Sequence, residues 1–276
     1  MAKVVLSAFA DEASKNLDGQ IEALQRNGLE YIDVRVADGK NVFDLTVDEA
    51  KDIYARLKKG GISVNCLGSP VGKVNLDVDF DAYRKRFNAL LDTAEIMNTD
   101  KIRMFAFYEH NGNLPLITQY VTALCDDAKA RGVKLYLENE ARVYGENATE
   151  VDTLLNAVPT LNDLYDPANY VLGGQDLDVA MDLLLKKRKT EFLHIKDATY
   201  SGAIVACGEG EGRVREAVQF CTGADLYMTI EPHLFQSKSY KEFDGKELIN
   251  KVVFNNEGEA FDYAVTAVRK TLEGIL

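Results

Sequence analysis

EFLHIKDATY, residues 191–200, sets one of the chain's three histidines in a short apolar run and follows it with a lysine and an aspartate. Read as a β-strand, alternate side chains share a face. Leu193 and Ile195 make one apolar face, and His194 and Lys196 point the other way. Such a strand suits a sheet covered by helices on one side and opening onto a polar interior on the other. A closed barrel provides that interior.

The same kind of run recurs along the chain. Strands are expected at 4–9, 31–36, 63–69, 101–108, 134–140, 161–167, 191–198 and 226–232. Between them lie segments such as VDEAKDIYARLKKGG (47–61) and ITQYVTALCDDAKARG (117–132), whose apolar residues recur every three or four positions, the helical period. Gly28, Gly60, Gly132 and Gly223 stand where helix C-termini should stop. Strict alternation of strand and helix implies a parallel sheet. Eight units in 276 residues fit an α/β fold of the closed (β/α)8 TIM-barrel type, one domain over 1–276. The first strand is not followed by GxGxxG, the mark of the open nucleotide-binding sheet. The longest irregular piece, 233–258, has the length of a functional loop or an oligomer contact.

The formal charge of −12 argues against nucleic acid and anionic membranes as partners. Cys66, Cys125, Cys207 and Cys221 are scattered without a CxxC pair, so a cytoplasmic, disulfide-free protein is expected. Neither a signal peptide nor a membrane span is expected from MAKVVLSAFADE.

Strand phase then sorts the polar residues. Glu138 and Glu140 share the inward face of the fifth strand, Asp166 ends the sixth, His194 and Lys196 lie inward on the seventh, and Glu231 on the eighth. Glu138, Asp166, His194 and Glu231 fall 28, 28 and 37 residues apart, about one βα unit each, so neighbouring strands each send one group to the C-terminal mouth. Three carboxylates in a partly dry cavity repel unless a cation offsets them. An oxygen-rich set with one imidazole suits one divalent ion: Mn²⁺, Mg²⁺, Co²⁺ or Zn²⁺. Each residue alone also has an ordinary use. His194 could be a hydrogen-bonded core histidine, Asp166 before Pro167 a cap, and Glu138 or Glu140 partners of Arg103 or Lys196. CGEGEG (207–212) could cradle phosphate, but Glu209 and Glu211 would repel one, so a tight loop is expected.

The motifs FADEASKNLDGQIEAL, DGKNVFDLT, GSPVGK, YLENEARVYGE, YDPANYV, HIKDA, CGEGEG and TIEPHL together resemble the sugar phosphate isomerase/epimerase family with the xylose isomerase-like barrel. The resemblance implies a metal held by Glu138, Asp166, His194 and Glu231. It also implies that the two glutamates exchange protons with substrate. Two positions depart from the sugar epimerases: Asn169 stands where a histidine is usual, and Tyr200 where an arginine is. The implied activity is proton transfer beside the carbonyl of a sugar or polyol through an enediolate, with the ion as Lewis acid. A lyase or dehydratase acting on a keto-polyol or oxidised glycoside would use the same groups. Glu138 and Glu231 are the expected catalytic residues, and Arg103, Glu140, Lys196 and His233 the expected substrate holders. Homo-oligomers are common in the family.

Overall fold

Eight of the apolar runs form strands. In the computed structural model, which describes residues 3–235, 249–250 and 252–275, the barrel strands are β1 (Val4–Ala8), β2 (Tyr31–Val34), β3 (Ser63–Val71), β4 (Lys101–Met104), β5 (Lys134–Glu138), β6 (Asn162–Leu164), β7 (Phe192–Ile195) and β8 (Leu226–Ile230). Most are shorter at their C-terminal ends than the apolar runs suggest. Beyond β4 the chain leaves the strand, and Phe107 turns to a left-handed φ of 67°. Beyond β6, Pro167 opens a helix, a position where its missing N–H costs nothing.

The ladders are parallel and run β2-β3-β4-β5-β6 in one group and β1-β8-β7 in the other. The groups meet where Tyr165 bridges Leu193. There Tyr165 N–H donates to the Phe192 carbonyl and His194 N–H to the Tyr165 carbonyl, both at 3.0 Å. At the other seam, between β1 and β2, no ladder forms among the described residues; Ser7 Oγ donates across it to Asp33 Oδ1 at 2.8 Å.

Helices α1 (Leu17–Arg26), α2 (Val47–Lys59), α3 (Phe80–Ile96), α4 (Leu114–Ala130) and α5 (Ala148–Ala157) follow their strands. Their N-caps are Asn16, Thr46, Asp79, Asn113 and Asn147, each accepting a backbone N–H of the first turn, as short polar side chains do. Next come α6 (Pro167–Leu172), α7 (Leu177–Ala180) running into a π-helical stretch Met181–Lys187, α8 (Val214–Cys221) and α9 (Glu257–Thr271). The irregular piece 233–258 lies largely outside the described residues.

Apolar side chains from the outward strand faces and the helices form the main core, Leu193 and Ile195 among them. Inside the barrel a second, smaller cluster forms a floor from Val5, Cys66, Tyr136, Leu164, Phe192 and Tyr227. A polar belt adjoins this floor. Asp33 accepts from Ser7 Oγ and Asn65 Nδ2 at 2.8 Å and from Thr229 Oγ1 at 2.6 Å. A buried carboxylate satisfied in this way is rigid, and it underlies the barrel's mouth.

The glycine-rich segment is a tight loop with an anion of its own. The Asp197 carboxylate accepts N–H groups from Ala198, Gly208 and Gly212 at 2.9 Å and Gly210 at 3.0 Å. A Cβ at position 210 would stand 2.2 Å from Asp197 Oδ1. The nest is filled from within, which leaves no cradle for phosphate.

Candidate metal and catalytic site

Strand phase delivers all four expected ligands to one point. Glu138 ends β5, Glu231 directly follows β8, His194 lies in β7, and Asp166 follows β6. One ligand atom from each lies within 4.8 Å of all the others. The side chains are 0–5% exposed. His194 Nδ1 is 3.1 Å from Glu138 Oε1, 2.9 Å from Glu231 Oε2 and 3.9 Å from Asp166 Oδ2. Neighbouring donors around an ion with bonds of about 2.1 Å stand about 3 Å apart, so the set has the size of a single coordination shell. Asp166 shows why two readings of it coexist. Its Oδ1 caps α6 through Asn169 N–H at 2.9 Å, while its Oδ2 is buried in the cluster without a hydrogen bond. That orphaned oxygen fits a cation ligand, as does the sulfur-free donor set.

Each glutamate has an arginine of its own. Arg103 Nη1 donates to Glu138 Oε2 at 3.0 Å. Its Nη2 and Nε reach the Gly68 and Ser69 carbonyls, and its guanidinium lies over Phe9 and Phe105, 5.0 Å from each. Arg35 Nη1 donates to Glu231 Oε1 at 2.9 Å. Sequence reasoning missed Arg35, although the phase of Tyr31, Asp33 and Arg35 carries it inward. It also missed Asp11 and Glu12, which sit in a short 3-10 helix, Ala10–Glu12, after β1 and bind Arg35.

The four expected substrate holders, Arg103, Glu140, Lys196 and His233, line a cavity of about 500 Å³ whose walls include Glu138 and Glu231. Lys73 Nζ donates to Glu140 Oε2 at 2.8 Å. Lys196 Nζ donates to Asn169 Oδ1 at 2.9 Å and stands 3.6 Å from Asp166 Oδ2. Asn169 Nδ2 reaches Glu138 Oε1 at 3.3 Å, so the amide that replaces the usual histidine ties Lys196 to the cluster. Tyr200, at the other departure, is exposed and donates to the Gln175 carbonyl.

Burial disfavours charge throughout the cluster, and the neighbours decide the outcome. Burial lifts Asp166 to about 6, with Lys196 opposing and the two glutamates adding to it. Glu138 resists burial because His194 and Arg103 outweigh it, which holds the carboxyl at about 2. Glu231 is also held well below the ordinary carboxylate range, against burial, by Lys196 and the two histidines. His194 is raised to about 10, against burial, by Glu138 and Glu231. Without an ion, a proton on His194 is what the carboxylates have between them.

The chain matches the family model of the xylose isomerase-like TIM barrel over residues 21–246. No curated protein matches it in sequence. Among solved structures, the IOLI protein with a bound zinc atom aligns at 15% identity and TM-score 0.73, covering 99% of each chain. An L-ribulose 3-epimerase aligns at 16% identity and TM-score 0.73, covering 99% of this chain and 95% of the other. The probable 3-DHS dehydratase AsbF of petrobactin synthesis in Bacillus anthracis aligns at 15% and TM-score 0.69, covering 97% and 98%. At these identities the likeness is one of fold.

Proposed function

The chain belongs to the xylose isomerase-like TIM barrel family, and from that premise we propose that it is a divalent-metal-dependent sugar isomerase or epimerase. The reading rests on one observation: two buried carboxylates from β5 and from the end of β8, Glu138 and Glu231, meet at His194 Nδ1 with Asp166 beside them. Glu138, Asp166, His194 and Glu231 would hold the ion, which supplies Lewis acidity toward a carbonyl and its developing negative charge. Glu138 or Glu231 removes the proton beside the carbonyl, and the other carboxylate or a water returns it at the neighbouring carbon or on the opposite face. Arg103 and Arg35 fix the free oxygen of each glutamate, so that the reacting oxygen has one orientation. Lys196, Glu140 and His233 hold hydroxyls from the walls.

The cavity volume is in the range for a small molecule such as a monosaccharide. Its inner cations are matched to carboxylates: Lys73 to Glu140, Arg103 to Glu138, Arg35 to Glu231 and Lys196 to Asp166. Walls of this kind offer alternating donors and acceptors to hydroxyls, and a phosphate set against these inner cations would have to displace a carboxylate from its partner; Lys15 lines the cavity from its exposed rim. The substrate read from this is a ketose or keto-polyol with no phosphate at its inner end.

The test is turnover in D₂O of such ketoses by the Mn²⁺- or Co²⁺-loaded protein, followed by mass spectrometry. Deuterium gained beside the carbonyl with no loss of mass from the skeleton supports the isomerase or epimerase. A product lighter by one water belongs to the alternative, a lyase acting on a keto-polyol or oxidised glycoside through the same proton abstraction. No exchange on any ketose, keto-polyol or oxidised glycoside, with the metal bound, removes both.

A further inference from the structure

Beside the four-residue cluster lies a second set of donors that shares one of its members. Ligand atoms of Glu12, Glu231 and His233 lie within 4.8 Å of one another. His233 Nδ1 is 2.9 Å from Glu12 Oε1, and its Nε2 is 3.3 Å from Glu231 Oε1. His233 takes a left-handed φ of 47°, and its N–H donates to Glu12 Oε2 at 2.7 Å, so backbone and side chain alike hold the set together. Two carboxylates and an imidazole, sharing a bridging glutamate with an adjacent site, are by their chemistry a divalent-cation subsite.

A protein cation is already there. Arg35 Nη1 is 2.9 Å from Glu231 Oε1, Nη2 is 3.3 Å from Glu12 Oε1, and Nε is 2.9 Å from Asp11 Oδ2. The Arg35 side chain is 12% exposed, and its guanidinium lies 4.4 Å over the Phe9 ring. Phe9 in turn meets His194 edge-on at 5.2 Å, so one buried ring supports both the arginine and a ligand of the first cluster. Asp11 Oδ1 is buried beside it without a hydrogen bond, one more oxygen than the guanidinium uses.

We propose that Arg35 is the resident cation of this second subsite, and that it limits the cavity to one divalent ion by standing where another would bind. The proposal rests on reading Glu138, Asp166, His194 and Glu231 as the site of the first ion. A guanidinium does not dissociate and does not lose its proton in a protein. The charge at Glu231 Oε1 is therefore permanent, and only Oε2 turns to the exchangeable ion. A second divalent ion among Glu12, Glu231 and His233 would stand against this positive charge in a buried pocket, where like charges repel strongly.

The experiment titrates the metal-free full chain with Co²⁺ alone and counts bound ions per chain by calorimetry and by elemental analysis after gel filtration. The wild type is expected to bind one ion and Arg35→Lys one. Arg35→Ala is expected to bind two, and Arg35→Ala combined with Glu12→Gln is expected to return to one. Arg35→Gln, neutral and of similar reach, is expected to match Arg35→Ala and serves if the alanine variant does not fold. Two ions in the wild type, or one in a folded neutral variant, overturn the proposal while leaving the first site intact. No ion in the wild type overturns the first site and the proposal with it. An anomalous-scattering peak between Glu12 and His233 in Co²⁺-soaked wild-type crystals would independently overturn it.

Discussion

The proton on His194 and the ion compete for the same place. His194 Nδ1 faces Glu138, Glu231 and Asp166 within 3.9 Å, and the two glutamates raise its pKa to about 10 against burial. At neutral pH an incoming divalent ion therefore has to displace that proton. Uptake is expected to release about one proton per ion near pH 7, read by calorimetry in buffers of different ionisation heat; no buffer dependence would refute the competition. For the reaction, Glu138→Gln keeps size and removes the base, so turnover should fall by about 10²–10⁴ while the circular dichroism spectrum is unchanged. Wild-type rates in that variant would remove Glu138 from the chemistry. A third residue, outside the site, sets a pH dependence of stability. Asp163 is buried and bonded to Thr190 Oγ1, and burial raises its carboxyl to about 7. In the unfolded chain the group titrates at about 4. Between these values the folded chain binds the extra proton. The stability this group adds is complete below about pH 4 and is lost as pH rises through about 7. Asp163→Asn should flatten the fall in urea-derived stability between pH 5 and 8 by an amount on the order of a few kcal/mol. Parallel wild-type and variant curves would show that Asp163 ionises freely in the fold.

At the scale of elements, the strands' facing was legible and their ends were not. A period of two is imposed by burial on both faces: Leu135 and Leu137 join the outer core, while Tyr136 joins the floor and Glu138 the cluster. Any slip of one residue would exchange them. The end of β4 depends instead on a left-handed Phe107, and nothing in the apolar run FAFY announces it. The short α6 was hidden because Asp166 and Pro167 read equally well as a strand end or a cap; the structure ends β6 at Leu164, makes Asp166 the N-cap and starts the helix at Pro167. Helix stops came close: the left-handed residue after α2 is Gly61 rather than Gly60. The segment after β7 shows an element-scale dependence on one side chain. Asp197 receives four backbone N–H groups, three of them from the glycine loop. Asp197→Asn would leave one side-chain position presenting N–H donors to N–H donors, in place of charge-assisted bonds. A loss of about 2–4 kcal/mol is expected in chemical denaturation. Gly210→Ala should also destabilise, because its Cβ would stand 2.2 Å from Asp197 Oδ1 and 2.5 Å from the Ala198 carbonyl. A neutral result for both would mean that the loop re-forms without the nest.

For the whole molecule, the part of the site borne on strands was readable and the part borne on pairings across the barrel was not. Alternation predicts that Glu138, Asp166, His194 and Glu231 converge. It cannot predict that Arg35 from the second βα unit meets Glu231 from the eighth, a separation of 196 residues closed only by the barrel itself. The same closure ties stability to the ion. The four ligands come from β5, β6, β7 and β8 or the residues directly after them, and β6 and β7 are joined by little more than the Tyr165–Leu193 bridge. An ion bound to the folded state alone spans that weak join. At a free concentration 100-fold above its Kd, it adds about 2.7 kcal/mol, roughly 5 °C or more in Tm for a chain of this size. The wild type should therefore melt at a higher temperature in Mn²⁺ or Co²⁺ than in EDTA. Asp166→Asn and Glu138→Gln should lose that shift, while Glu140→Gln should keep it, because Glu140 binds Lys73 and the Ala141 N–H rather than the cluster. If the ion raises Tm equally in all four proteins, it is bound elsewhere, and the four strands do not share a metal.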